Sequence, residues 1–184
     1  MEEVFSKYEA ESHLEGCDKN TGHSYLPVYE SLFAPKRSDR IRLLEIGVCS
    51  GASLAAWGEY FTHPETEIIG LDITTEYLKH TFDGTRVKMF LKNATIKSDV
   101  ESTPGDFDII IDDGSHDLRD QIMAVVLWTP RLAQGGIFVV EDIPHEHYAR
   151  FICDVGEALG LKGAIYDRRS IKNRHDDIMV VFRK

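Results

Sequence analysis

The stretch LLEIGVCSGAS, residues 43–53, followed by IIGLDI, residues 68–73, decides the reading of this 184-residue chain. An apolar run ends in Glu45 and a glycine-bearing turn, helix-forming residues follow, and a second apolar run ends in Asp72. That order outlines a βαβ unit holding a nucleoside-containing cofactor at the carboxyl ends of two parallel strands.

The loop chemistry narrows the cofactor. A pyrophosphate cradle needs Gly-x-Gly-x-x-Gly, whereas here Cys49 stands where the middle glycine belongs. Glu45 at the entrance would repel phosphates but suits a cationic ligand. S-adenosylmethionine carries an amine and a sulfonium and no phosphate. The candidate contacts are Glu45, Gly47, Gly51 and Ser53 around the loop, Asp72 for the two ribose hydroxyls, and Asp112 across the crevice. Tight strand-to-helix turns also need glycine for steric reasons alone, so the loop gains its meaning from Asp72.

Length and composition fit one globular domain: 42% hydrophobic residues, 28% charged, and no internal repeat. The expected layout is a single unit over residues 1–184, with an N-terminal helical cap segment at 1–35 and a catalytic core at 41–184. A net charge of −10 argues against a nucleic-acid footprint and favours a small or sugar-like substrate. Cys17, Cys49 and Cys153 suggest neither a disulfide framework nor a zinc site. With no signal-peptide core and no membrane-length apolar run, the expected location is cytoplasmic and away from membranes.

Strand and helix patterns alternate along the chain. Helices are expected at residues 23–33, with Pro27 in the first turn, at 52–61, at 118–132 closed by Gly135 and Gly136, and at 145–159 ended by Gly160. Strands are expected at 42–47, 67–73, 87–91, 107–112 and 137–140. A last pair, 163–166 and 178–182, is joined by a loop too short for a crossover and so must be antiparallel. The fold class is therefore α/β, Rossmann-like: a mostly parallel seven-stranded sheet with a C-terminal antiparallel hairpin and helices on both faces.

The reactive groups follow strands four and five. IIIDDGSH places Asp112, Asp113, Ser115 and His116 after one strand, and VVEDIPH places Glu141, Asp142 and His145 after the next. Carboxylates converging on one crevice repel unless a cation joins them, and oxygen donors suit magnesium or another divalent cation. Each acid has a plainer role as well: Asp112 as a turn acceptor, Asp142 as a helix cap. Glu141, directly after Phe138, Val139 and Val140, is harder to place on the surface. His116 reads either as a turn histidine or as a general base. His145 and His147, two apart on a helix, should point to different faces, so that at most one reaches the site. His13, His63, His80 and His175 carry no motif and are expected on the surface.

The segments DKNTGHSYLPVYESLF, RLLEIGVCSGASLAAW, EIIGLDI, FDIIIDDGSH and PRLAQGGIFVVEDI together resemble the class I S-adenosylmethionine-dependent O-methyltransferases of the macrolide-sugar type, from about residue 18 to residue 143. The resemblance implies magnesium-dependent methyl transfer to a sugar hydroxyl. Asp113, Glu141 and Asp142 would hold the metal, His116 and Asp113 would be catalytic, and Asp72 would take the ribose. Asn93 stands where such proteins usually carry an Asp near the adenine, and residues 18–21 resemble the segment beside the cofactor pocket. The implied partner is a small-molecule or glycan acceptor, with a homo-oligomer or a fused glycan-processing partner completing the pocket. Competing readings are an aromatic-diol O-methyltransferase using Trp57, Trp128 or Tyr148 as a slot, a hydroxylase relative on the same fold, and a non-catalytic cofactor-binding module.

Overall fold

The computed structural model describes residues 1–10 and 14–184; the expectation for His13 lies outside them. A short helix α1 (Glu2–Phe5) and helix α2 (Leu26–Phe33) precede strand β1 (Arg42–Ile46), helix α3 (Ala52–Tyr60), strand β2 (Glu67–Asp72) and strand β3 (Val87–Leu91). Then come helix α4 (Lys97–Glu101), strand β4 (Phe107–Asp112), helix α5 (Leu118–Trp128), strand β5 (Leu132–Val140), helix α6 (Glu146–Ala158), strand β6 (Lys162–Asp167), helix α7 (Arg169–Lys172) and strand β7 (Ile178–Arg183).

The seven strands form one sheet in the order β3-β2-β1-β4-β5-β7-β6. The first five run parallel, and β7 enters antiparallel between β5 and β6. The hairpin is thus inserted with its later strand innermost, which buries Ile178–Phe182 and leaves the less apolar β6 at the edge.

Alternation along each strand divides the core in two. Leu43, Ile109, Ile111, Val139 and Val181 pack against α2, α3 and the N-terminal segment, with Trp57 fully buried. Leu44, Ile110, Phe138 and Val140 pack on the other face with Ala124, Val125 and Trp128 of α5 and Ile152 of α6. Both tryptophans are core, so neither supplies a substrate slot. Register sets Ile46 level with Leu71 and Asp112, and Asp112 level with Val140. The next residue of each strand, namely Gly47, Asp72, Asp113 and Glu141, therefore emerges along one rim.

Two boundaries differ from the sequence reading. The helix expected over 118–132 ends at Trp128, followed by a 3-10 turn at Thr129–Arg131, because Pro130 lacks the amide that a further helical turn needs. Strand β5 begins at Leu132 rather than Ile137, with the register shift against β4 between Phe107 and Ile109 admitting Gly135 at φ +75. α4, at Lys97–Glu101, had no expectation because five residues show no periodicity.

Gly47 adopts φ +85, and a Cβ there would lie 1.9 Å from the Asp113 carbonyl oxygen. Gly47→Ala should lower stability by more than about 3 kcal/mol, since strain and a backbone clash add. Gly84→Ala, at φ +73 in open space, should cost only about 1–2 kcal/mol. Urea denaturation of the two variants checks the difference; equal costs would contradict the close approach.

Candidate active site

The rim described above gathers six acids, Glu45, Asp72, Asp112, Asp113, Glu141 and Asp142. Glu45 and Glu141 share the face of Val139 and point toward the N-terminal segment, where Lys19 is buried between them. The Lys19 ammonium lies 2.5 Å from Glu141, 2.6 Å from Asp113 and 3.5 Å from Glu45. Burial opposes its charge, but these three carboxylates overcome that penalty and hold its pKa well above the ordinary lysine value. Burial pushes Glu141 and Glu45 upward, against the pull of Lys19. The other oxygen of Glu141 accepts from the Tyr29 hydroxyl. Glu45 also accepts from Ser53 at 2.8 Å and Trp57 at 3.3 Å.

Two of the expected site residues face inward. Glu45 is fully buried as a counter-ion of Lys19 and lines neither cavity of the cleft. Any influence on a ligand passes through Lys19. Glu141, expected as a metal ligand, turns one oxygen to Lys19 and the other to Tyr29. One ligand atom each of Asp113, His116 and Asp142 lies within 4.8 Å of the others, a spacing that a single ion spans.

Asp113 and Asp142 are differently placed. Asp113 offers one oxygen to Lys19 and the other to His116 Nε2 at 3.2 Å. Burial raises its pKa, yet the Lys19 charge and the His116 hydrogen bond outweigh this and leave it below the usual carboxylate range. Asp142 sits in a left-handed conformation, φ +55, held by the Tyr25 hydroxyl, which donates to its Oδ1 at 2.7 Å and accepts from its amide at 3.2 Å. Burial and the Asp113 charge push Asp142 up to about 7. For His116, burial acts downward, but the Asp113 hydrogen bond and the acids around it raise the pKa to about 9.

Two adjoining cavities open along the rim and share Gly47, Cys49, Asp72 and Gly114. One, of about 330 Å³, is lined by Asp72, Ile73, Tyr77, Asn93, Ala94 and Asp112 among others. The second, of about 250 Å³, is lined by Lys19, Ser53, Asp113, His116 and Asp142. Asp72 stands at their junction. Its Oδ2 accepts from the amides of Val48 and Cys49 at 2.8 and 3.0 Å, and its Oδ1 from Thr74, so it also anchors the glycine loop. Gly51 lies outside both linings and serves the turn at φ +84. Asn93 Oδ1 caps the turn to Thr95. Asp112 is buried, raised to about 7 by that burial, and keeps Oδ2 without a hydrogen-bond partner among the described residues.

His145 and His147 do not diverge as expected. His145 precedes the helix in an extended conformation and stacks on His147 at 5.2 Å, both exposed and outside the two cavities. The sequence reading did not single out His23, Tyr25 or Tyr29 for the site. Tyr25, at the N-cap of α2, and Tyr29 within it stand four apart, and that spacing is the available signal.

Residues 44–143 match the family described as a methyltransferase domain, more than half of the chain. The chain belongs to that family. A 2'-O-methyltransferase of 8-demethyl-8-α-L-rhamnosyl tetracenomycin C from Streptomyces olivaceus is 32% identical over 143 residues, 74% of this chain and 37% of that protein. The mycinamicin VI 2''-O-methyltransferase of Micromonospora griseorubida is 32% identical over 131 residues, 66% of this chain and 32% of that one. The chain thus spans about a third of the length of these curated relatives. The solved MycE methyltransferase of the mycinamicin pathway, in complex with Mg and SAH, superposes with a TM-score of 0.63 at 27% identity, covering 76% of this chain and 36% of that one. Aeropyrum pernix fibrillarin, at 17% identity and TM-score 0.64, shares the fold across 79% of this chain and 67% of its own. The expected class I Rossmann-like methyltransferase fold is the fold observed. No helix among the described residues is long and apolar enough to cross a membrane.

Lys19→Met should destabilise the protein by about 3–5 kcal/mol, because it strands buried carboxylates. Lys19→Met combined with Glu141→Gln should recover much of that loss, and urea midpoints test both. His116 should titrate near 9 by NMR and fall toward its ordinary 6.5 in Asp113→Asn. A raised folded-state pKa stabilises fully below 6.5, so the His116 contribution should disappear between pH 6.5 and 9. A native His116 titrating at 6.5 would contradict the pairing.

Proposed function

We propose that this methyltransferase domain binds S-adenosylmethionine across the two cavities and, with a divalent cation, transfers its methyl group to a sugar hydroxyl of a glycosylated small molecule. The observation that carries the reading is the junction at Asp72. One carboxylate is shared by an apolar cavity holding an unsatisfied Asp112 oxygen and by a polar cavity holding Asp113, His116 and Asp142.

The donors fit both groups. Asp72 keeps a lone pair on Oδ1 for a ribose hydroxyl, Asp112 Oδ2 lacks the donor that a nucleoside amine or hydroxyl supplies, and Ile73 and Tyr77 offer an apolar wall to a base. Asp113 and Asp142 would hold the ion as hard oxygen donors, with Glu141 behind them as an acid neutralised by Lys19. When bound, the cofactor supplies an electrophilic methyl and the ion a Lewis acid that acidifies a chelating hydroxyl.

The chain's own residues do the rest. Asp72, itself anchored by the loop amides, would hold the donor at the cavity junction, so that alignment with the acceptor oxygen becomes a matter of position. The bound cofactor would supply its methyl carbon to the acceptor oxygen, its carbon–sulfur bond breaking with the electron pair left on sulfur. His116 would accept the acceptor's proton at Nε2 once a cation held by Asp113 and Asp142 offsets the acids that otherwise keep its ring protonated at neutral pH. Similarity to sugar O-methyltransferases of glycosylated polyketides supports the acceptor class.

Isothermal titration with S-adenosylmethionine and Mn²⁺, followed by a methyl-transfer assay on deoxysugar glycosides, tests the proposal. Asp72→Ala should weaken cofactor binding more than tenfold. Asp113→Ala should keep cofactor binding but lose the ion and lower turnover by at least a hundredfold. Absence of cofactor binding by the native chain would sink the reading; cofactor binding and turnover unchanged in Asp113→Ala would sink the metal assistance.

A further inference from the structure

Behind Asp142, on the side away from His116, a second group of cation donors is buried under residues 18–25. His23 is 1% exposed, and its ring stacks on Tyr25 with centroids 4.6 Å apart. Its Nδ1 lies 3.3 Å from Asp177 Oδ1, a fully buried carboxylate that also accepts from the Ser24 amide at 3.2 Å and the Ser24 hydroxyl at 2.5 Å. A carboxylate receiving those donors has no proton to give, so Nδ1 carries the hydrogen and Nε2 presents its lone pair in the neutral ring.

Nε2 points at oxygen acceptors. Asp142 Oδ1 is 3.3 Å away and Asp18 Oδ2 3.8 Å away, yet Nε2 has no hydrogen-bond partner among the described residues. A buried ring nitrogen facing carboxylate oxygens with no hydrogen bond between them is a place that suits a positive centre. His23, Asp142 and Asp176 each place one ligand atom within 4.8 Å of the others.

We propose that His23, Asp142 and Asp176 form a second divalent-cation site, with the Asp142 carboxylate bridging it to the ion at Asp113. Oδ2 of Asp142 faces His116, and Oδ1 faces His23. The donor set of one imidazole and carboxylates suits a borderline ion such as Mn²⁺, Co²⁺ or Zn²⁺ better than magnesium. The Nδ1–H to Asp177 bond is the outer carboxylate–histidine contact that orients a metal-binding ring. The Arg174 guanidinium competes, donating to Asp176 Oδ1 at 2.7 Å, and leaves Oδ2 the less engaged oxygen at 3.5 Å. The site rests on the proposed first ion only through the shared carboxylate.

Titration of the full chain with Mn²⁺ alone, read by bound stoichiometry and by electron paramagnetic resonance, is the test. The native chain should bind two Mn²⁺, with an exchange-coupled signal from the bridged pair. His23→Gln should bind one, uncoupled. Asp176→Asn, at a half-buried position that tolerates substitution, should do the same if His23→Gln fails to fold. Arg174→Gln should bind the second ion several-fold more tightly. One Mn²⁺ per native chain, unchanged in Asp176→Asn, would overturn the second site and leave the first standing. No Mn²⁺ at all would overturn both.

Discussion

One buried ammonium makes the rest of this site tenable. Glu45, Asp113 and Glu141 emerge on the same rim because parallel strands in register place them there, and unpaired they would repel at a few ångströms in a low-dielectric setting. Lys19 resolves that conflict from outside the sheet, brought in by residues that precede the βαβ core. Such a cluster is poor evidence for stability, since burying four charges costs nearly what their attraction returns. Its value is positional: it ties the N-terminal segment over the strand ends and turns the second oxygen of Asp113 toward His116.

With Glu45 and Glu141 neutralised inward, the outward chemistry falls to Asp113, His116 and Asp142. The same segment that brings Lys19 brings Tyr25, which stabilises Asp142 in a left-handed backbone that a non-glycine residue rarely adopts. Arg168 and Lys172 in turn fasten this segment to the C-terminal hairpin through the Ser24 and His23 carbonyls. The site is thus built from both ends of the described fold, and the hairpin inserted beside β5 is part of its support.

Much of this was legible in the residues. The acids at strand ends, the glycine turn and Asp72 follow from local pattern, because a parallel strand's carboxyl end is where chemistry collects. The central strands, such as Phe107–Asp112 and Ile178–Arg183, emerged as apolar runs. What was not legible depended on contacts across long separations. Lys19 meets Glu141 across 122 residues and Tyr25 meets Asp142 across 117, and no spacing rule connects them. That is why Glu45 was assigned to a cofactor and Glu141 to a metal, when each faces Lys19. The boundary at Leu132 was missed because Gly135 and Gly136 look like a helix stop, whereas the chain uses them in the register shift of a strand.

The central claim is that one cleft holds a nucleoside sulfonium cofactor beside an acid-bound cation. A crystal soaked with S-adenosylhomocysteine and Mn²⁺, phased by the manganese anomalous signal, tests it directly. The account predicts ribose density on Asp72, a base in the cavity by Asn93 and Asp112, and an anomalous peak between Asp113 and Asp142. An empty cleft, or manganese bound away from Asp113, would contradict it.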